Sequence, residues 1–171
     1  DMACNDPDCR GMGTTLTMLL VVNNKGIMAH VGDSRLYILR NGELHLLSND
    51  HTLANELVHL GSLEPSQAEH SRFAGVLTRS VGHQESVQVD TLLFDLFPDD
   101  TCLLCSDGLT NYLDDSDELR ELLCVEDTAG VPERLVNLAT SRGGSDNITV
   151  VVLRVQETDE PVVVNAVNRK L

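Results

Sequence analysis

The chain has 171 residues, of which 42% are hydrophobic and 23% charged, and these values are typical of one soluble globular domain. Its formal net charge of −15 argues against binding to nucleic acid and to anionic membrane surfaces, because both need clustered Lys and Arg side chains. The sequence contains no run of about 18 apolar residues, so we expect no membrane insertion by this segment.

The cysteines point to a reducing compartment. Five cysteines do not make a disulfide framework in a chain of this length, and an odd number leaves one thiol unpaired. Cys102 and Cys105 have the spacing of a redox or zinc half-site, but they lie in one apolar run, where residues three apart point to opposite faces of a strand. We expect both to be buried free thiols, whereas Cys4 and Cys9 stay unassigned. No signal-peptide pattern is present, and a cytoplasmic location is therefore predicted.

The first third of the chain reads as β-structure. Strands are predicted at residues 15–22, 27–31, 35–40 and 43–47. The turn between the last two strands is Asn41-Gly42, which is the strongest short hairpin signal. The first three strands are apolar on both faces, so we expect them to be covered on both sides.

The middle of the chain changes period and then returns to strand. A helical stripe begins at Leu53 and ends before Gly61, and Pro65 opens a second short helix. Strands are then predicted at residues 76–81 and 87–95. A further strand at residues 101–105 leads directly into a turn of small residues.

The last third combines two helices with a strand. Ser116 is expected to cap a helix that runs to about residue 125, and Pro132 to start another that runs to about residue 142. Gly143-Gly144 should stop that helix, before a β-branched strand at residues 148–155. The remaining residues, 156–171, read either as a linker or as an added edge element.

The predicted elements define a fold class. Strands outnumber helices, and most of them are joined by short hairpin links. We therefore expect an α+β fold in which two mostly antiparallel sheets form a β-sandwich flanked by helices. The predicted organisation is a polar N-terminal segment at residues 1–14, a folded part at 15–155 and a tail at 156–171.

Three aspartates share one context that suggests a metal site. Asp33, Asp107 and Asp146 each lie in a turn of small residues next to a β run, where a cation and its waters can approach the backbone. Oxygen ligands without nearby His or Cys favour Mg²⁺ or Mn²⁺ over Zn²⁺. The alternative for each aspartate is a capping role, and Asp107 in particular can cap a helix at residues 108–113.

Other polar residues lie beside these aspartates. Four neighbours are expected to surround the metal ligands: Ser34, Ser106, Gly108 and Asn147. Of the six histidines, only His30 lies near the predicted site, and a packed strand histidine explains it equally well. Arg35 and Arg79 face phosphate in one interpretation and are structural ion-pair partners in the other.

Six short motifs occur in one order along the chain. They are residues 11–15 (Gly-Met-Gly-Thr-Thr), 31–37 (Val-Gly-Asp-Ser-Arg-Leu-Tyr), 49–52 (Asn-Asp-His-Thr), 77–82 (Leu-Thr-Arg-Ser-Val-Gly), 104–110 (Leu-Cys-Ser-Asp-Gly-Leu-Thr) and 145–151 (Ser-Asp-Asn-Ile-Thr-Val-Val). Any one of them is a weak signal. Together, over roughly residues 11–155, they resemble the type 2C protein phosphatases, the metal-dependent PPM family, in its bacterial form.

The resemblance implies an activity and a set of ligands. It implies hydrolysis of phosphoserine and phosphothreonine in proteins by metal-activated water, with no catalytic residue beyond the metal ligands. It also implies two or three Mg²⁺ or Mn²⁺ ions: Asp107 and Asp146 match ligands of the binuclear centre, and Asp33, with Asp107, matches a third, weaker site. Residues 52–76 match a mobile flap beside the active site. The substrate is then a phosphoprotein made by a serine/threonine kinase, which places the protein in signalling.

The sequence also departs from the family pattern. The family's Arg-containing acidic motif and its Asp-Gly-x-Gly-Gly motif are both absent here. We therefore expect residues 15–155 to be the larger, C-terminal part of a phosphatase catalytic domain, whose N-terminal portion was removed, omitted or carried by another chain. Such a chain alone should show weak or no turnover. The alternatives are a catalytically inactive binding or regulatory module and a structural β domain, of which the latter leaves the acidic turns unexplained.

Overall fold

The computed structural model describes Cys9, residues 11–68, 71–113 and 116–156, and the backbone of residues 164–169. The chain divides into two compact units. The first unit contains residues 1–20, 27–34 and 49–93, and the second contains residues 21–26, 35–48 and 94–171. Within the described ranges, no helix has the length and apolar character needed to cross a membrane.

The elements confirm the predicted α+β class with two sheets. In chain order they are β1 (Leu16–Val22), β2 (Lys25–Val31), β3 (Arg35–Arg40), β4 (Glu43–Leu46), α1 (Leu53–His59), α2 (Pro65–Ala68), β5 (Asp90–Asp95), β6 (Thr101–Cys105), α3 (Asp107–Thr110), α4 (Ser116–Leu123), α5 (Val131–Ser141), β7 (Ile148–Arg154) and β8 (Val164–Arg169). One sheet has the strand order β1-β2-β5, and the other has the order β4-β3-β6-β7-β8. Every neighbouring pair in the five-stranded sheet is antiparallel.

Short turns define the hairpins, as predicted. Asn41 and Gly42 both adopt left-handed backbone angles, with φ of 52° and 80°, which suits a two-residue hairpin turn. This turn sets the register in which Arg40 lies opposite Glu43. Between β1 and β2 the turn is shorter than predicted, because β2 already begins at Lys25.

The five-stranded sheet carries the core of the second unit. Side chains at alternate positions of β6 and β7 share one face of the sheet, and the buried cluster joins them to the three helices α3, α4 and α5. Members of this cluster include Leu103, Val150, Leu109, Leu119 and Leu135. In β3 the four central residues, 36–39, are all buried, which confirms that this strand is covered on both faces. The cluster is mainly aliphatic, and Tyr37 is the aromatic side chain among its buried members.

For β1 the prediction of coverage on both faces was wrong. Its side chains alternate between exposed and half-buried, and the exposed set is apolar: Leu16, Met18, Leu20 and Val22. The strand lies at the edge of its sheet, and within the described ranges these four side chains stay about half open to solvent. An apolar sequence allows a strand to be buried on both faces, but burial also requires other elements to pack on each face. On one face of β1 the described residues do not provide them.

Residues 76–81 do not form the predicted strand. Their backbone makes single bridges, Leu77 with Thr52 and Val81 with Thr14, instead of a continuous ladder. Within the part of the chain that the structure describes, both bridge partners lie outside the strands, and the pairing does not extend into a ladder. The following strand is also shorter than predicted, since β5 begins only at Asp90.

The helix ends agree closely with the sequence. The Thr52 side chain accepts a hydrogen bond from the Asn55 amide and caps α1. Ser116 is the first helical residue of α4 and not its cap. At the end of α5, Gly143 and Gly144 have φ of 131° and 27°, so the chain leaves the helix where predicted.

The tail and the cysteines can also be compared with the predictions. Of the two interpretations of the tail, an added edge element is the one observed, because β8 pairs with β7 at the edge of the five-stranded sheet.

Cys102 and Cys105 are buried free thiols, as expected, and burial raises the pKa of Cys102 to about 12. Cys9 is also a free thiol, and Cys4 lies outside the described residues.

A core substitution tests this packing. We expect Leu135→Ala to lower the free energy of unfolding by about 2–5 kcal/mol. The Leu135 side chain is 0% exposed, so its truncation leaves a cavity in the core. Leu60→Ala makes the same chemical change at a side chain that is 77% exposed and should cost less than about 0.5 kcal/mol. Urea unfolding followed by circular dichroism measures both. Equal losses in the two variants would contradict the assignment of the core.

Candidate functional site

The pairing of β6 with β7 places two of the predicted acidic turns side by side. The strands are antiparallel, and Cys105, the last residue of β6, lies opposite Val150 near the start of β7. The turn that follows β6 and the turn that precedes β7 are therefore neighbours. They carry Asp107 and Asp146, respectively, and both lie in the second unit.

The Ser106 hydroxyl joins these two turns. Ser106 Oγ donates a hydrogen bond to the Asn147 carbonyl at 3.0 Å and accepts one from the Thr149 amide at 3.0 Å. The Ser106 amide also donates to the Thr149 carbonyl at 3.1 Å. Ser106 occupies the N-cap position of α3, but its side chain makes no capping bond, because its hydroxyl bonds to the other turn. Two of the residues predicted to surround the site, Ser106 and Asn147, are thus in direct contact.

Gly108 lets the two backbones approach closely. A Cβ atom at this position would lie 2.4 Å from the Asn147 carbonyl oxygen, which is closer than any real side chain tolerates. Asp107 is half-buried and is the first helical residue of α3, after Ser106 at the N-cap position. The alternative in which Asp107 caps this helix is therefore wrong.

The turn before β7 is held from the other side by a tyrosine. Tyr112 Oη lies 2.8 Å from Ser145 Oγ and accepts a hydrogen bond from the Ser145 amide at 3.1 Å. These hydrogen bonds lower the pKa of Tyr112. Asp146 follows directly; it is exposed, and its Oδ1 accepts a hydrogen bond from the Asn147 amide at 2.6 Å. The turn is thus anchored on both sides of the exposed carboxylate.

The third predicted ligand, Asp33, lies in the first unit. Its turn requires glycine before it, since Gly32 has φ of 113° and a Cβ there would lie 2.3 Å from Thr15 Cγ2. On the other side, Ser34 Oγ lies 2.9 Å from Thr15 Oγ1, and the Ser34 carbonyl accepts a hydrogen bond from Thr17 Oγ1 at 2.7 Å. Asp33 is half-buried in this turn. Its participation in one site with Asp107 stays a prediction.

Two residues that matter here were missed in the sequence. We expected His30 to be the only histidine near the acidic turns, but the ring of His51 also contacts this turn, because its Nδ1 accepts a hydrogen bond from the Gly32 amide at 3.1 Å. Tyr112 was not considered at all. The available signals were the position of His51 in the motif at residues 49–52 and the position of Tyr112 two residues after the motif at 104–110.

The two arginines take structural partners. Arg79 Nη1 forms an ion pair with Asp90 at 2.8 Å, which agrees with the structural interpretation of this residue. Arg35 Nη1 donates a hydrogen bond to the hydroxyl of Tyr37 at 3.1 Å. The Arg79 contact lies within the first unit, and the Arg35 contact lies within the second unit.

The joined turns present oxygen donors. The two turns carry the carboxylates of Asp107 and Asp146 and the backbone carbonyl of Asn147, and oxygen donors of this kind suit Mg²⁺ or Mn²⁺ better than Zn²⁺. Among the described residues, no three His, Cys, Asp or Glu side chains are grouped closely enough to hold a metal ion. The residues present fit part of a hard-cation site.

A glycine substitution tests the contact between the turns. We expect Gly108→Ala to lower the free energy of unfolding by about 1–3 kcal/mol, because the added Cβ must push the Asn147 carbonyl away. The control is Gly75→Ala, where a Cβ meets nothing within 4 Å and the backbone is not in the left-handed region. That change should leave stability unchanged or raise it slightly. Urea titration of both variants gives the comparison, and an unaffected Gly108→Ala protein would contradict the close approach.

Comparison with known proteins identifies relatives of the whole chain. The sequence profile of the family described as Protein phosphatase 2C matches residues 1–148. The protein phosphatase PhpP of Streptococcus pneumoniae is 41% identical over 159 residues, which cover 90% of this chain and 63% of PhpP.

Solved structures agree with this relationship. The crystal structure of the Mycobacterium tuberculosis serine/threonine phosphatase PstP/Ppp matches with a TM-score of 0.84 and 36% sequence identity, covering 91% of this chain and 66% of that chain. The catalytic domain of PstP in complex with two manganese ions matches with a TM-score of 0.82 and 36% identity, covering 91% of this chain and 64% of that chain.

The match extends over nearly all of this chain, whereas the chain spans about two thirds of the length of these relatives. The profile covers far more than half of the sequence, and the identity to several bacterial phosphatases exceeds 30%. These similarities, together with the two joined acidic turns, show that the chain belongs to the protein phosphatase 2C family.

Proposed function

We propose that the protein acts in the metal-dependent hydrolysis of phosphoserine and phosphothreonine in proteins. The observation that carries the proposal is the hydrogen-bonded contact between the turns of Asp107 and Asp146, made through Ser106. This contact brings together two turns whose aspartates lie 39 positions apart in the sequence. The names of the relatives, which are serine/threonine phosphatases, support the same activity.

The proposed cofactors are Mg²⁺ or Mn²⁺, two or three ions in all. Asp107 and Asp146 would hold the binuclear pair, and Asp33 would contribute to a third, weaker site. When bound, such ions activate water and neutralise the charge that develops on a phosphoryl group. The manganese-bound structure of a relative supports this choice of metal.

The protein's own side chains orient these carboxylates. Ser106 sets the distance between the two turns, and Gly108 leaves the space that a side chain would fill. The Asn147 amide donates a hydrogen bond to Asp146 Oδ1, which restricts the rotation of that carboxylate. The other oxygen, Oδ2, takes no part in this bond. In this proposal no side chain acts as nucleophile or general acid, and the chain contributes position and charge.

We further propose a cytoplasmic signalling role, in which the substrate is a phosphoprotein made by a serine/threonine kinase. The buried free thiols of Cys102 and Cys105 are typical of a protein in a reducing compartment. Residues 52–76, which resemble the family's flap, would control access of that substrate. An N-terminal portion of the catalytic domain, absent from this sequence, would complete the site.

The second candidate function is a catalytically inactive binding or regulatory module. It is supported by the small number of acidic side chains at the joined turns, since no group of three metal-binding side chains occurs in the described ranges. Two carboxylates bind a divalent ion more weakly than a full ligand set does. Such a module would recognise phosphoproteins without hydrolysing them.

Paired aspartate variants test the enzyme. Asp107→Asn and Asp146→Asn each remove a ligand charge, and we expect each to weaken Mn²⁺ binding at least about tenfold and to lower aryl-phosphate hydrolysis at least about 100-fold. The control is Asp99→Asn, which makes the same change beside Arg154 at the opposite ends of β6 and β7. It should leave both quantities unchanged. Calorimetric titration with Mn²⁺ and steady-state kinetics with p-nitrophenyl phosphate provide the readouts.

Two outcomes separate the candidate functions. An Asp146→Asn protein that keeps its full hydrolysis rate would exclude the proposed mechanism. A chain whose Mn²⁺ binding does not depend on Asp107 or Asp146 would favour the inactive module. Absence of hydrolysis would not do so by itself, because this chain alone is expected to show weak or no turnover.

A further inference from the structure

Both backbone polar groups of Gly32 bond to one residue, His51. The Gly32 amide donates to His51 Nδ1 at 3.1 Å, and the His51 amide donates to the Gly32 carbonyl at 2.7 Å. His51 is 3% exposed, so water does not compete for these bonds. Gly32, the residue directly before Asp33, is therefore held on both of its backbone polar groups by a residue 19 positions away in the sequence.

These contacts assign the proton on the His51 ring. A backbone amide can only donate, so Nδ1 must be the unprotonated acceptor and the ring hydrogen lies on Nε2. Nε2 then donates to Asp90 Oδ2 at 3.1 Å. Arg79 Nη1 lies 3.1 Å from Nε2 but can only donate, so its hydrogen bond goes to Asp90 Oδ1, at 2.8 Å. Burial raises the pKa of Asp90, but the hydrogen bonds from His51 and Arg79 outweigh it and hold that pKa below its ordinary value. Asp90 stays ionised and keeps the His51 ring in this orientation.

The other side of Asp33 is held by threonine hydroxyls. Ser34 Oγ pairs with Thr15 Oγ1, and the Ser34 carbonyl accepts from Thr17 Oγ1. Asp33 thus follows a residue held by His51 and precedes a residue held by Thr15 and Thr17. All of these residues belong to the first unit.

The same histidine bonds to the segment that follows the predicted flap. The His51 carbonyl accepts a hydrogen bond from the Thr78 amide at 2.8 Å, and Thr52, the next residue, bridges to Leu77. Residues 52–76 thus begin beside His51 and end two residues before Thr78. His51 therefore contacts both Gly32 and the residues that adjoin the two ends of this segment.

From this geometry we propose that His51, oriented by Asp90 and Arg79, is a positioning residue that fixes the turn of Asp33 for a divalent cation. The inference rests on the proposed function, because it takes Asp33 as a metal ligand. His51 touches neither substrate nor cation in this account. It acts on the direction of the Asp33 carboxylate through the Gly32 peptide.

Two isosteric variants separate the two halves of the His51 ring. In His51→Asn the side-chain amide oxygen takes the place of Nδ1, so the bond from the Gly32 amide is kept and the bond to Asp90 is lost. In His51→Gln the side-chain amide nitrogen takes the place of Nε2, so the bond to Asp90 is kept and the bond from the Gly32 amide is lost. Hydrogen exchange of the Gly32 amide, measured by NMR without metal, should become about tenfold faster in His51→Gln, the equivalent of one lost hydrogen bond. In His51→Asn it should stay close to the wild-type rate.

Metal binding gives the second readout. Titration with Mn²⁺, followed by calorimetry, should show the weakest class of sites weakened about tenfold in His51→Gln and in Asp33→Asn, with no further loss in the double variant. Met28→Ala, a core change in the same unit, is the control for general destabilisation, and it should lower the unfolding temperature without changing Mn²⁺ affinity. If His51→Gln fails to fold, Asp90→Ala replaces it, because that side chain is 33% exposed and tolerates truncation.

The outcomes keep this inference distinct from the proposed function. Unchanged Gly32 exchange in His51→Gln overturns the positioning role alone. Faster exchange with unchanged Mn²⁺ affinity, while Asp33→Asn weakens binding, also overturns it and leaves the phosphatase proposal intact. If Asp33→Asn itself leaves Mn²⁺ binding unchanged, the metal role of Asp33 fails, and the inference fails with it.

Discussion

The hydroxyl of Ser106 connects two segments that the chain otherwise keeps far apart. It donates to the Asn147 carbonyl and accepts from the Thr149 amide, so one side chain satisfies two backbone groups of the opposite turn. The pairing of β6 with β7 brings the turns near each other, but it does not fix the distance between them beyond the last ladder pair. The Ser106 contact does so, and the absence of a side chain at Gly108 permits it.

The acidic turns are built on a common plan with different parts. In the turns of Asp146 and Asp33, a residue next to the aspartate is held by a side chain from a distant segment: Ser145 by Tyr112, and Gly32 by His51. A ligand carboxylate supported in this way pays little conformational entropy when it binds a cation, because its backbone is already ordered.

Carboxylates at the opposite strand ends illustrate the contrasting, structural role. Asp100 is 2% exposed and receives two hydrogen bonds from Arg40, while Asp99 pairs with Arg154. Such arginine partners neutralise the charge and stabilise the ends of the sheet. Asp146, by comparison, is exposed and accepts a hydrogen bond from its neighbour's backbone amide. The carboxylates at the two ends of β6 and β7 thus differ in their partners, which are arginine side chains at one end and a backbone amide at the Asp146 end.

Local patterns in the sequence were sufficient for much of this protein. Hydrophobic period and turn residues predicted β3, β4 and β7 almost to the residue. The small residues around three aspartates suggest oxygen ligands for a hard cation, which stays a prediction. Both features depend on residues close together in the chain, where steric preference and charge act directly. The same patterns failed at residues 76–81, which are strand-like in composition but bridge only to loops. Tertiary structure alone decided that Ser106 meets Thr149 and that His51 meets Gly32, because contacts between residues tens of positions apart depend on strand register and on which backbone groups remain unpaired.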